Sequence, residues 1–144
     1  MKQIFLLLIN LFFIFTSQLY AKDYTFDSRG SSEQKILNFA DGSKYIHITT
    51  NGWWTDSNGN YGKETCYGYI ETSNEKVMLD IKCQLTDQNN KKIKVSRKRS
   101  SLEGGGVGIN TYLETSKEYN YLLGKKCTYA VTFLESDFYY KQKC

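Results

Sequence analysis

Proline is absent from this chain of 144 residues, and histidine occurs once. The first absence excludes polyproline docking segments and proline hinges. The second excludes any multi-histidine metal site and removes the commonest general base from most catalytic pairs. No Asn-x-Ser/Thr sequon occurs, which favours a bacterial periplasm over a glycosylating secretory route. CxxC, GxSxG, HExxH, P-loop and dinucleotide fingerprints are all missing. Charge of one sign is not in large excess: the formal net charge is +4, too little for a nucleic-acid signature. What the chain has instead is aromatic residues, 15% of the total, led by 12 Tyr. Tyr at that level suits half-buried pleated surfaces and does not suit disorder.

The only long apolar run is at the start. Met1-Lys2 is followed by Ile4 to Phe15, interrupted by Asn10, and then by a small residue, Ala21, before Lys22-Asp23. A basic start, a short greasy run and a small residue at the cut match a secretory signal peptide over 1–21. The run falls short of the roughly 20 residues that a membrane span needs; an uncleaved N-terminal anchor is the alternative. Residues 22–144 then form one domain, expected to be secreted or periplasmic, with no stable membrane insertion once the leader is gone.

All four Cys lie in that domain. Four Cys allow three connectivities, and strand register chooses among them. Tyr61 to Thr72 and Lys76 to Thr86 read as strands around Ser73-Asn74-Glu75. With Thr72 facing Val77, Cys66 faces Cys83, and both join the apolar face with Ile70, Leu79 and Ile81. The second pair behaves alike. Cys127 to Glu135 and Ser136 to Cys144 fold about Glu135-Ser136, with Phe133 facing Phe138. Cys127 then faces Cys144, on a face shared with Tyr129, Val131 and Tyr140. Opposed residues on antiparallel strands are close enough to bridge. The expectation is therefore two disulfides, Cys66–Cys83 and Cys127–Cys144, with zinc disfavoured by the spacing.

The remaining chain alternates short strands with turn clusters. Asp23 to Asp27 and Ser43 to Thr50 are expected strands. Gln34 to Ala40 reads as strand or short helix, with strand preferred. Asn51 to Asn60 is expected to be a polar loop carrying Trp53 and Trp54. Lys91 to Arg99 and Val107 to Leu113 are further strands, the latter with Val107, Ile109, Thr111 and Leu113 on one face. Tyr119 to Gly124 reads as a turn or a single helical turn. About eight antiparallel strands of this kind hide their edges best by closing on themselves. The expected fold is all-β, a single up-and-down barrel, with a β-sandwich as the alternative.

Tyr119-Asn120-Tyr121-Leu122-Leu123-Gly124, followed by Thr128-Tyr129-Ala130-Val131, resembles a stretch of allene oxide cyclase-type and dirigent-type barrels. In those barrels a strand leads through Tyr-x-x-Leu-x-Gly into an aromatic-rich strand; Gly106-Val107-Gly108 is similar too. The resemblance spans about residues 104–134. Thr115-Ser116-Lys117 departs from the usual Gly-Thr-Gly, and the spacing between Gly124 and Tyr129 is one residue longer. The resemblance implies a calycin-like barrel with an interior cavity. No cyclase catalytic residue maps onto this chain, so that activity is not carried over.

Candidate chemistry is sparse. His47 lies in an alternating strand with no paired nucleophile and reads as a structural or surface residue. Asp56-Ser57-Asn58-Gly59-Asn60 resembles the start of a calcium loop, yet Tyr61 stands where Gly is needed and Tyr67 where the closing Glu is needed, so a tight turn is expected. Lys91 to Arg99 holds six basic residues in nine, read as a solvated strand that resists edge pairing, with an anion patch as the alternative. Arg97 and Arg99 share the parity of Ile93 and Val95, so in a regular strand Arg97 is expected to point toward the interior or its rim, where burial requires an acidic partner or an anionic ligand. Glu64 and Glu71 differ in parity and face opposite sides. Trp53 and Trp54 are expected to cap the barrel mouth or to stack on a sugar. The leading functional expectation is a non-catalytic binder of a small apolar, amphipathic or anionic ligand held in the barrel by Trp53, Trp54, Arg97 and Tyr129. A barrel isomerase or cyclase and a surface interaction module are the alternatives. No cofactor, metal or nucleic acid is expected. Cavity size separates the three readings: a filled interior favours the interaction module.

Overall fold

The computed structural model describes residues 23–73, 76–101 and 105–144. The signal-peptide reading of 1–21, Asn74-Glu75 of the expected turn and Gly104 lie outside the described residues. The strands are β1 (Thr25–Asn38), β2 (Lys44–Asp56), β3 (Tyr61–Ser73), β4 (Lys76–Asp87), β5 (Lys92–Ser101), β6 (Gly106–Thr115), β7 (Lys126–Leu134) and β8 (Asp137–Lys143). Each pairs antiparallel with the next, and β8 returns to β1, closing the barrel. Closure leaves alternate side chains no choice but inside or outside. The expected up-and-down barrel is the fold found.

Both cysteine registers hold. Thr72 faces Val77 and Cys66 faces Cys83; Phe133 faces Phe138. The disulfides are Cys66–Cys83 and Cys127–Cys144, with Cα atoms 4.0 and 4.5 Å apart. These separations belong to the closer, non-hydrogen-bonded kind of opposed pair. Cys127–Cys144 also helps close the barrel, because the Cys144 amide donates to the Tyr24 carbonyl across the β8–β1 seam.

Two expectations change. β1 is one strand of 14 residues, not the separate segments Asp23 to Asp27 and Gln34 to Ala40. Its small inward residues fit a crowded interior: Ser28 donates to Glu64 at 2.6 Å, and Ser32 donates to the Ser136 carbonyl at 3.0 Å. β2 runs through to Asp56, so Trp53 and Trp54 lie on a strand, not in a loop. The loop is only the turn after Asp56, whose carboxylate accepts from the Asn58 and Asn60 amides at 2.9 Å each. The face of β6 carrying Val107, Ile109 and Leu113 is the exposed one. Gly108 is buried where a side chain would run into the Tyr129 ring. Asn110 and Tyr112 turn inward to meet Arg97 and Gln142.

A 3-10 helix, Lys117–Leu122, closes one end of the barrel, with Tyr119 and Leu122 buried. Gly124 follows with φ +75°, the left-handed conformation that favours glycine, and its amide donates to the Tyr112 carbonyl. Tyr119 donates to Asp87 at 2.8 Å, tying this plug to the β4–β5 turn.

Candidate functional site

Among the described residues, the centre of the interior and a trough on the outer wall each gather polar side chains around aromatic ones. In the centre, Arg97 from β5 reaches Glu64 from β3. Its Nη2 donates to Oε2 at 2.7 Å and its Nη1 to Oε1 at 3.3 Å. The two side chains are 5% and 0% exposed. A buried guanidinium survives only when its charge and donors are matched. Glu64 matches the charge, Nε donates to Asn110 at 3.3 Å, and the Tyr140 ring lies 4.0 Å from the guanidinium carbon. Tyr129 stacks on Tyr140, centroids 4.9 Å apart. Burial pulls the Arg97 guanidinium down, but the charge and hydrogen bonds of Glu64 together with the Tyr140 and Tyr112 phenols outweigh it, so the group is held above its ordinary value.

A second chain of bonds continues the layer. Tyr140 donates to Gln142 at 2.7 Å, and Gln142 donates to the Tyr112 hydroxyl at 2.8 Å. Burial pushes the hydroxyls of Tyr112, Tyr129 and Tyr140 up. These phenols therefore stay neutral at ordinary pH, as hydrogen-bonding groups.

The space left is small. Between Ile48, Leu79, Val131, Phe138, Tyr129 and Arg97 lies a cavity of about 30 Å³. That volume admits a water molecule, while small-molecule sites run to roughly 300–1,000 Å³.

The structure does not bring the four sequence-nominated residues to one opening. Trp54 is 1% exposed; it stacks on Phe26 at 5.4 Å and donates its indole N–H to the Lys63 carbonyl. Arg97 is locked to Glu64, and Tyr129 lies under Tyr140. Trp53 faces outward, 61% exposed. Glu64 was the group missed. Its parity with Cys66 and Ile70 on β3 already placed it inside, and Arg97 required an acid there.

The outer trough sits over β8, β1, β2 and β3. Gly30 and Gly52 are directly paired, both on the inward parity. A Cβ on Gly30 would collide with the Asn51 carbonyl, and one on Gly52 would stand 2.9 Å from the Phe138 ring. With no side chains to hold them apart from the core, β1 and β2 approach closely and the wall is concave outside. The resulting trough is open to solvent and measures about 680 Å³. Trp53, Lys63, Arg29, Asn51, Thr65 and Asp137 line it. Lys63 Nζ lies 4.8 Å from the Trp53 ring centroid, which fixes the indole in place.

Against family models and curated proteins, the chain finds no match.

Proposed function

We propose that this protein works outside the cytoplasm as a non-catalytic recognition module that meets its target on the outer wall of the barrel. The observation that carries the reading is the contrast in space: about 30 Å³ inside and about 680 Å³ in the trough over Gly30 and Gly52. Buried polar groups support it. Glu64 and Arg97 are consumed by one another inside the barrel, and Gln142 by Tyr140 and Tyr112, so they brace the wall from within. Two disulfides suit an oxidising compartment, in keeping with the leader read from 1–21. Mid-strand lysines on the exposed wall, such as Lys63, Lys82, Lys94 and Lys98, suit water and not the apolar band of a lipid-facing barrel.

Native mass spectrometry of protein purified gently from its natural source tests this reading. The expected result is the mass of the oxidised chain without a stoichiometric apolar passenger. One apolar molecule retained per chain would return the ligand to the interior and overturn the outer-wall reading.

A further inference from the structure

The trough over Gly30 and Gly52 does not end at Thr65. A second trough of about 630 Å³ begins there, lined by Tyr67, Lys82, Gln84, Lys94 and Glu114. The two meet because Lys63, Thr65 and Tyr67 are successive outward residues of β3. The second trough owes its depth to the β5–β6 bulge: Lys94 pairs with Glu114 and Val95 with Tyr112, leaving Leu113 as the extra residue that bends the wall. Together the two troughs form a band that crosses the outer wall from β8 to β6, meeting at Thr65 of β3.

Its chemistry is specific. Each trough holds one exposed aromatic ring, Trp53 at 61% and Tyr67 at 58% exposure. Strand rise and spacing put them about 14 Å apart. Four cations line the track (Arg29, Lys63, Lys82 and Lys94) against two exposed carboxylates, Asp137 and Glu114, the Glu64 side chain being turned inward to Arg97. Lys94 is paired with Glu114 at 2.8 Å, Lys82 donates to Ser96 at 2.7 Å and Lys63 lies over the Trp53 ring, so Arg29 is the cation most available to a ligand. Between the charges lie neutral hydrogen-bonding groups, Asn51, Thr65 and Gln84, with Thr65 donating to Asn51 at 3.0 Å.

We infer that this track binds an acidic oligosaccharide, with one sugar ring stacked on Trp53 and a ring further along the chain on Tyr67. The inference rests on the outer-wall reading above and names its ligand class. Aromatic faces take up the C–H face of a pyranose. The fork of Arg29 suits a sugar carboxylate. Asp137, Glu114 and the amides accept from hydroxyl groups, which a saccharide carries on every ring. A nucleic acid fits less well, because it offers few hydroxyl donors to the acceptors of the track.

Isothermal titration of the full oxidised chain with an oligogalacturonate hexamer tests the inference, beside a neutral galactose oligomer of equal length and a single-stranded oligonucleotide of matched charge. The acidic sugar is expected to bind best, the neutral one about tenfold weaker or worse through loss of the carboxylate pairs, and the oligonucleotide weaker than the acidic sugar. Trp53→Ala and Arg29→Ala should each lower affinity about tenfold, the scale of an interface hot spot, while Trp53→Tyr retains most of it. Unchanged melting of each variant guards against misfolding. No binding of the acidic sugar, equal binding of the oligonucleotide, or an undiminished Trp53→Ala variant would overturn the inference. Those outcomes leave the outer-wall reading standing, since that reading falls only if a ligand is found inside the barrel.

Discussion

Arg97 and Glu64, from strands that are not neighbours in the wall, meet across the inside of the barrel through two hydrogen bonds of 2.7 and 3.3 Å. The pair ties β5 to β3 through the space that a hollow barrel would leave for a ligand. Removing one partner leaves the other charged and buried, a cost of roughly 3–5 kcal/mol. Glu64→Gln and Arg97→Met should therefore each lower the urea midpoint sharply. The double variant Glu64→Leu with Arg97→Met should unfold at a midpoint above that of either single variant, because no orphan charge remains. A double variant as unstable as the sum of the singles would mean that the pair is not coupled.

Each disulfide closes a loop with a sequence separation of 17, worth about 3 kcal/mol in the chain-entropy account. Cys66→Ala with Cys83→Ala, and separately Cys127→Ala with Cys144→Ala, should each reduce unfolding free energy by about that amount. The second pair should also loosen the β8–β1 seam, seen as faster amide exchange at Tyr24 and Phe26. Equal protection of those amides in both variants would contradict the seam role.

Gly52 holds the concave wall. Its Cβ would stand 2.8 Å from the Arg29 carbonyl and 2.9 Å from the Phe138 ring. Gly52→Ala should cost about 1–3 kcal/mol by overpacking. Phe138→Leu in the same chain should recover part of that loss, since it removes the ring contact but not the backbone one. A neutral Gly52→Ala, measured by thermal and urea unfolding, would show that the strands have room to spare.

Alkaline pH reports on the interior phenols. Burial raises Tyr24, Tyr112, Tyr129 and Tyr140. In the unfolded chain tyrosine ionises near pH 10. Above that pH the unfolded state loses protons that the folded state keeps, so stability is held below about pH 10 and falls as pH rises further. Near-ultraviolet titration should show these phenols ionising together with loss of the near-ultraviolet dichroism. Ionisation of every tyrosine with the dichroism intact would contradict a sealed interior.

The fold was legible wherever alternation was clean. Cys66, Ile70, Leu79 and Ile81 mark one face, and a one-residue slip would have turned all of them outward. Alternation failed where the inward residue is small or polar. Ser28, Gly30 and Ser32 carry no alternation signal, so the stretch after Asp27 yields no element from sequence, yet they lie inside β1, where Glu64 and Phe138 fill the space. Gly52 hid the second half of β2 in the same way. In β6 the apolar residues are outside because Tyr129 lies against Gly108 and Arg97 needs Asn110. The inward direction of Arg97 was readable from parity, whereas its partner required knowing which strands face each other across the barrel. The trough depends on glycine contacts and on a bulge at Leu113, neither of which leaves a periodic signal.

Chemical-shift mapping on the isotope-labelled full chain tests the central claim most directly, with the acidic hexasaccharide as titrant and, in parallel, a soluble extract of the protein's own cell envelope. The account predicts shifts clustered on Arg29, Asn51, Trp53, Lys63, Thr65 and Asp137, with the interior signals of Leu79, Tyr129, Val131 and Phe133 unmoved. Shifts concentrated on those interior residues, with the outer wall of β1 to β3 silent, would contradict it.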